Sequence, residues 1–514
     1  MGGDNASRRL TRISREHILN AYKAGPDVVI TLIEYLQEQF QNALEELNNA
    51  NVKLAYRVQA LEEKINKDSH NSNKPPSTDG PRRKFSKKPE RRGERKPGGQ
   101  QGHEGTTLHM VKHPNHLEVH EIIRCLTCGK SLQQEKLRGY ERRQVFDIPP
   151  IAVEVTEHRA QIKRCPHCGE LSVATFPEGV GHKTQYGTRL EAFAVYLKDY
   201  GLLSYERTLQ ALADLFCVPV SLGTLVSIDE RCARRVQGVV EQIREHLMRE
   251  KVVHFDETGL NINGQLYWLH GAGTPGLTYY YPHQRRGTAA SDEIGILPQL
   301  RGTAVHDNWQ AYMNYDCAHS LCNAHQIREL TYVYEQDGQP WAQQMIGLLL
   351  ESKEAVEKAK KTGKKRLDPC EIREYENRYQ TIIALGMKAN PPPHRGASPP
   401  RRGRLKRSKA RNLVERLARL QAETLRYLHD FRVPFDNNLA ERDIRMMRVQ
   451  QKVSGLFRSY HGALSFCRIR SYIATIRKQR LSVIDALVRA FERDLTALLA
   501  IENRRLSKVF PQKC

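Results

Sequence analysis

Residues 251–258 read K-V-V-H-F-D-E-T, and they open the run of segments that decides the fold. Q-L-Y-W-L-H-G-A (265–272) and L-T-Y-Y-Y-P-H (277–283) come next, joined by tight connections, then T-A-A-S-D-E-I-G-I-L (288–297). R-G-T-A-V-H-D-N (301–308) and H-S-L-C-N-A-H (319–325) complete the run. β-branched and aromatic residues bounded by turn residues predict strands in the first three segments. A short helix and a fourth strand then give a βββαβ order, an α/β pattern, to which residues 319–325 add a short fifth strand. Asp256 is expected at the end of the first strand and Asp307 at the end of the fourth. In a sheet with those strands adjacent, both carboxylates project from the same end.

A third acid, Glu441, lies in F-D-N-N-L-A-E-R-D-I-R (435–445), near the start of a helix. Three such carboxylates suit two Mg²⁺ ions, which prefer oxygen ligands and phosphate company. Any one of them alone reads as a strand-end cap or a surface charge; the strand order tips the reading. Asp436 and Glu257 rank below the chosen three. Asp436, with Asn437, is a candidate N-cap, and Glu257 should point away from Asp256, since strand side chains alternate. Glu441, Arg445, Arg448 and Lys452 recur at i, i+4, i+7 and i+11, one helical stripe. Arg445 could simply pair with Glu441. Alternatively the stripe, extended by Arg442 and Arg458, lays cations along a DNA backbone.

Upstream, Cys125, Cys128, Cys165 and Cys168 form two knuckles, C-L-T-C-G and C-P-H-C-G. Four sulfurs suit tetrahedral structural zinc; a degenerate site or four free thiols is the plain alternative. The 36 intervening residues are long for such a site. Alternating runs at 117–124 (L-E-V-H-E-I-I-R) and 151–162 (I-A-V-E-V-T-E-H-R-A-Q-I) predict strands that close it, so residues 106–182 read as a small zinc-binding β domain. Cys317, His319, Cys322 and His325 form C-x-H…C-x-x-H. A second zinc site there competes with a packing or hydrogen-bonding role, which the lack of a partner pair favours.

Residues 183–250 read as helical, with Ser204 and Ser221 as N-caps. Two short helices joined through C-V-P-V suggest a helix-turn-helix, although a plain helical bundle fits equally. Residues 251–330 hold the first part of the α/β core. Residues 331–432 are mostly helical, broken by a Pro- and Arg-rich tract at 391–411, and residues 433–514 complete the core with the Glu441 helix and further helices.

At the other end, Ile33, Phe40, Leu47, Leu54 and Leu61 fall seven apart. Leu44, Val58 and Ile65 fill the other apolar heptad position, interrupted by Gln37 and Asn51. This seam within residues 1–66 predicts a coiled coil and a homo-oligomer; an amphipathic helix packing on its own protein is the alternative. Residues 67–105 offer few apolar side chains to offset ordering entropy. Nine Lys/Arg against two Glu between Arg82 and Lys96 make this a basic linker, compatible with a tether and with non-specific DNA contact.

The chain has 514 residues, enough for about three domains. Lys and Arg number 81 against 58 Asp and Glu, a net charge of +23. Such an excess favours a polyanionic partner, since neutralised phosphates release counterions, whereas the bland reading is solubility. No run approaches the roughly 18 apolar residues of a membrane span, and the N-terminus lacks a secretory core. The 11 scattered cysteines argue against a disulfide framework, so the expected compartment is the cytoplasm, at the nucleoid.

Several segments together resemble transposases of the insertion sequence 66 family. They are N-S-N-K-P-P-S-T-D (71–79), K-P-G-G-Q-Q-G-H (96–103), H-F-D-E-T (254–258), Y-W-L-H (267–270), H-D-N-W (306–309) and L-C-N-A-H-Q-I-R-E-L (321–330). The longest is V-P-F-D-N-N-L-A-E-R-D-I-R-M-M-R-V-Q-Q-K-V-S-G-L-F-R-S (433–459), and F-C-R-I-R-S-Y-I-A-T-I-R-K-Q (466–479) continues it. Departures are small: Q-Q-G for the commoner Q-P-G, and N-S-N-K for N-S-S-K. The resemblance implies an RNase H-like core with a DDE triad, here Asp256, Asp307 and Glu441, and a helical insertion between the second and third acids. It also implies a leucine-zipper region, a zinc-binding region and Mg²⁺- or Mn²⁺-dependent cleavage at terminal inverted repeats. Attack of the freed 3′-hydroxyl on target DNA would come next, with accessory element-encoded proteins as further partners. A domesticated DNA-binding regulator and an RNase H-like nuclease are the rivals; the intact acids argue against the first.

Overall fold

The computed structural model describes residues 14–65, 108–392 and 407–493. The basic linker expected at 67–105 and most of the Pro/Arg tract lie outside the described residues. The chain divides into two compact units, Met1–Arg83 with Asn323–His429, and Lys84–Cys322 with Asp430–Cys514.

In the first unit, Ser14 caps α1 (Arg15–Ala24) by accepting from His17 N. The chain turns at Gly25, φ 119°, and Pro26 opens the 40-residue α2 (Pro26–Ile65). The heptad stretch is therefore helical. Its seam is uncovered: Ile33, Leu44, Phe40, Leu47, Leu54 and Val58 are 44–61 % exposed.

The second unit begins with the cysteine region. β1 (Ile162–Arg164) pairs antiparallel with β2 (Leu171–Val173) around the second knuckle. The strands expected at 117–124 and 151–162 do not form, apart from a single bridge, Arg124 to Ser131, and the start of β1 at Ile162. An alternating run becomes a strand when one face can be covered. Here Leu117, Val119, Ile122, Ile151, Val153 and Val155 are all exposed, so no layer covers them.

α3 (Thr188–Val195) runs into a π-helical turn at Tyr196–Tyr200, with α4 (Tyr205–Phe216) and α5 (Leu222–Arg249) next. Ser204 and Ser221 cap α4 and α5 as expected, accepting from Arg207 N and Thr224 N. The second helix of the expected helix-turn-helix is not short. It has 28 residues, and Leu225, Ile228, Cys232, Val236, Ile243 and Leu247 bury one long face in the core.

The βββαβ order is present. β3 (Val252–Ile262) and β4 (Gln265–Gly273) form a hairpin through Asn263 and Gly264, both at positive φ, as a two-residue loop requires. After β5 (Thr278–His283) come α6 (Thr288–Ile294), α7 (Ile296–Gln299), β6 (Thr303–His306) and β7 (Ala318–Leu321). The sheet order is β5-β4-β3-β6-β7, with β3, β6 and β7 mutually parallel along the sheet. The first and fourth strands of the run are thus neighbours.

The chain then supplies the helical part of the first unit: α8 (Asn323–Asp337), α9 (Pro340–Lys361), α10 (Pro369–Ala389), α11 (Lys409–Arg419) and α12 (Gln421–His429). Asp368 and Glu371 form a capping box on α10. Helices α9, α10 and α11 approach closely at Gly386, where a Cβ would stand 2.7 Å from Val414 and 2.9 Å from Trp341.

Back in the second unit, α13 (Asn438–Ser454), α14 (Tyr460–Lys478) and α15 (Val483–Glu492) finish the fold. Helix α14 covers the sheet edge. Thr278 N donates to Thr475 Oγ1 (3.0 Å) and Tyr280 N to Ser471 Oγ (2.8 Å), so β5 does not present a row of open donors.

Candidate active site

β3 does not end at Asp256. Pairing with β4 on its other side carries it on to Ile262, through T-G-L-N-I. Its parallel pairing with β6 does stop near the acid, at Val252–Thr303, Val253–Ala304 and His254–Val305. Asp307 comes directly after β6, so the same register carried on by two residues sets Asp256 opposite Asp307. Asp256 Oδ1 accepts from Glu257 N at 2.9 Å, and Asp307 Oδ1 accepts from Trp309 N at 3.0 Å across Asn308, which sits at φ 73°.

Glu441 stands in the first turn of α13. Asn437 is the boundary residue, but its side chain does not cap the helix; Asp436 Oδ1 takes Asn438 N instead, at 3.1 Å. Asn437 reaches into the sheet. Its Nδ2 donates to Phe255 O (2.8 Å), which turns its Oδ1 toward His254 Nδ1 (2.8 Å), so that ring nitrogen carries the proton. Asn437 N donates to Cys322 Sγ at 3.2 Å, just past β7. The helix bearing Glu441 is thereby fastened to the strand bearing Asp256. Cys322 Sγ lies within 4.8 Å of a Glu441 carboxylate oxygen. Cys322 Sγ thus accepts one hydrogen bond and stands near a carboxylate, and His325 lies in the first turn of α8.

Burial pushes the Asp256 carboxyl well above the usual carboxylate range, and the charges of Glu257, Asp307 and Glu441 add to it. The three acids therefore share one electrostatic neighbourhood. Their ligand oxygens do not all lie within 4.8 Å of one another. Glu257 points to the opposite face, as alternation requires. It accepts from Arg286 Nε (2.7 Å) and from the Tyr312 hydroxyl, and burial still raises its carboxyl against both. The Arg286 guanidinium lies over Trp268 (4.8 Å to the ring centre) and Trp309 (4.0 Å).

Behind Asp307, Asn308 N donates to His306 Nδ1 (3.1 Å), His306 Nε2 meets His319 Nδ1 (3.1 Å), and His319 Nε2 meets Tyr315 O (2.9 Å). One assignment satisfies all three bonds, with Nδ1 accepting and Nε2 donating on each ring. Burial, with His319 beside it, holds His306 down at about 3.

On α13, Arg442, Arg445, Arg448 and Lys452 face outward, as does Arg458 beyond it, while Ala440, Ile444 and Met447 are buried against the unit. Sequence reading placed Asn437 only in a helix cap, not against the sheet, and missed Arg286. The first is signalled by two consecutive Asn after an Asp; nothing local marks the second.

The model of the transposase IS66 family matches residues 183–465, more than half of the chain. The chain belongs to the IS66 transposase family. A zinc-finger binding domain of IS66 transposases matches residues 122–169, and a family of unknown function (DUF6444) matches residues 28–109. Among curated proteins, none matches.

Both cysteine knuckles fall within that zinc-finger match. Each is a tight turn: Gly129 N donates to Cys125 O and Gly169 N to Cys165 O, with both glycines at positive φ, 73° and 75°. Backbone N–H groups of Cys128 and Thr127 lower the Cys125 thiol, and those of Cys168 and His167 lower Cys165, favouring the thiolates that zinc requires. Among the described residues, no three of the four sulfurs lie within 4.8 Å of one another, so the two knuckles do not converge. No helix among the described residues is long and apolar enough to cross a membrane.

Proposed function

We propose that this chain is a DDE transposase with an RNase H-like core, which cuts DNA at its element's inverted repeats and joins the freed 3′-hydroxyls to target DNA. Its working form is an oligomer held through α2, on DNA in the cytoplasm. The observation that carries the reading is the nearness of Asp256 to Asp307 and Glu441, on a strand and a helix tied together by Asn437. Part-buried carboxylates that repel one another, with Arg286 committed to Glu257, suit hard divalent cations. When bound, Mg²⁺ or Mn²⁺ activates the attacking hydroxyl and stabilises the leaving oxygen.

Asp256, Asp307 and Glu441 would hold the ions. The outward-facing Arg442, Arg445, Arg448, Lys452 and Arg458 would hold phosphates and set the register of the strand. Thiolates of Cys125, Cys128, Cys165 and Cys168 would take zinc as the two knuckles close. The test is cleavage and joining of labelled DNA carrying the element's own ends. Asp256→Ala, Asp307→Ala and Glu441→Ala should each abolish cleavage while leaving DNA binding intact. Cleavage that survives full chelation sinks the metal reading; cleavage without joining makes the chain a nuclease.

A further inference from the structure

We propose that Trp309, backed by Arg286 and Trp268, is a stacking platform for one unpaired nucleobase beside the scissile phosphate. The placement rests on strand cleavage at Asp256 and Asp307, as proposed above. The stack is assembled from three separate segments: Trp268 on β4, Arg286 after β5 and Trp309 after β6. Glu257 fixes the guanidinium through Nε (2.7 Å) and Nη2 (2.6 Å), so Arg286 is held as a layer between aromatic neighbours and not extended into solvent. Its position 4.0 Å from the Trp309 ring centre occupies one face of that indole.

Trp309 is nevertheless 36 % exposed, a large flat apolar surface at a site that otherwise gathers carboxylates. Its main chain is fixed, since Trp309 N donates to Asp307 Oδ1. The indole therefore stands two residues from a proposed metal ligand and cannot drift far from it. A strand whose phosphate reaches Asp256 and Asp307 must bring its adjoining base close to this ring. Every base has a π-face, so an indole accepts one without regard to sequence, and a cation beneath the stack adds to the attraction. A base held there is a base taken out of the duplex, which loosens the strand at the bond to be cut.

The experiment has two arms on the full-length protein. In chelator, binding of a fluorescent oligothymidine is compared with binding of an equally long strand carrying abasic positions. Both have the same phosphates, so the ratio isolates stacking from charge. Trp309→Ala should narrow the preference for the base-bearing strand by about tenfold, and Trp309→Phe should keep it. A Trp309→Ala protein with an undiminished preference overturns the proposal.

In Mg²⁺, Trp309→Ala should cut fully paired element ends slowly and recover on ends mismatched next to the scissile phosphate. Equal slowness on both substrates would also overturn it, leaving Trp309 as a support for Asp307. Failure of the wild type to cut either substrate would refute the transposase reading, while the chelated arm still decides whether a base stacks on Trp309.

Discussion

Asn437→Ala is the sharpest probe of how the site is assembled. Asn437 is 1 % exposed, and its two partners, His254 and the Phe255 carbonyl, belong to residues at 5 % and 6 %. Truncation strands a buried N–H and a buried carbonyl at once. Each such orphan costs about 1–3 kcal/mol, so the variant should lose roughly 4 kcal/mol, a large share of a typical total of about 5–15 kcal/mol. Trp268 and Trp309 lie in the sheet-bearing unit and Trp341 in the other. Urea unfolding measured by tryptophan fluorescence in a Trp341→Phe background therefore reports the sheet-bearing unit. Asn437→Asp keeps the acceptor for His254 but faces Phe255 O with another oxygen, and it adds charge beside Asp256, so it should rescue nothing. At a temperature where Asn437→Ala is still folded, cleavage should fall further than the folded fraction while DNA binding holds. A stability loss under about 0.5 kcal/mol, the range of an inconsequential surface change, or normal cleavage by the folded variant, would refute the fastening role.

Lys198 bridges two buried carboxylates, Asp199 Oδ1 at 3.0 Å and Asp229 Oδ2 at 2.6 Å. Lys198→Met should cost about 3–5 kcal/mol, and adding Asp229→Asn should return part of it, which a double-mutant cycle in urea would measure. Burial holds His270 at about 4, whereas the unfolded ring takes its proton near pH ~6.5. Its contribution is therefore complete above about pH 6.5 and falls by up to roughly 3 kcal/mol toward pH ~4. His270→Gln should flatten that part of the stability–pH curve. Replacing Leu47 and Leu54 by Ser should shift sedimentation toward the monomer, and an unchanged oligomer would exclude the heptad seam as the contact.

The strand run was legible because each segment carries its own period and turn chemistry, and the placement of Asp256 beside Asp307 followed from the adjacency of their strands. The extra length of β3 was not, because T-G-L-N-I is a weak strand former that owes its conformation to β4. The alternating runs at 117–124 and 151–162 misled for the converse reason: the pattern is local, but the covering layer it needs is not supplied. Glu257's direction away from Asp256 was readable from alternation alone. Arg286 was not, since its partners come from β3, β4 and the turn after β6, and only the folded sheet brings them together.

The chain leaves the sheet-bearing unit after Cys322 and returns at Asp430. On a ribosome this sets an order of events. Asp256 and Asp307 emerge early and can pair through β3 and β6, but Asn437 and Glu441 are not yet made, and the whole helical segment must be translated first. A nascent or truncated product stopped in that segment would carry the cysteine knuckles and two of the acids without the third. Such a fragment would also lack Arg442, Arg445, Arg448 and Lys452, so the third acid and the outward-facing cations of α13 arrive together, last.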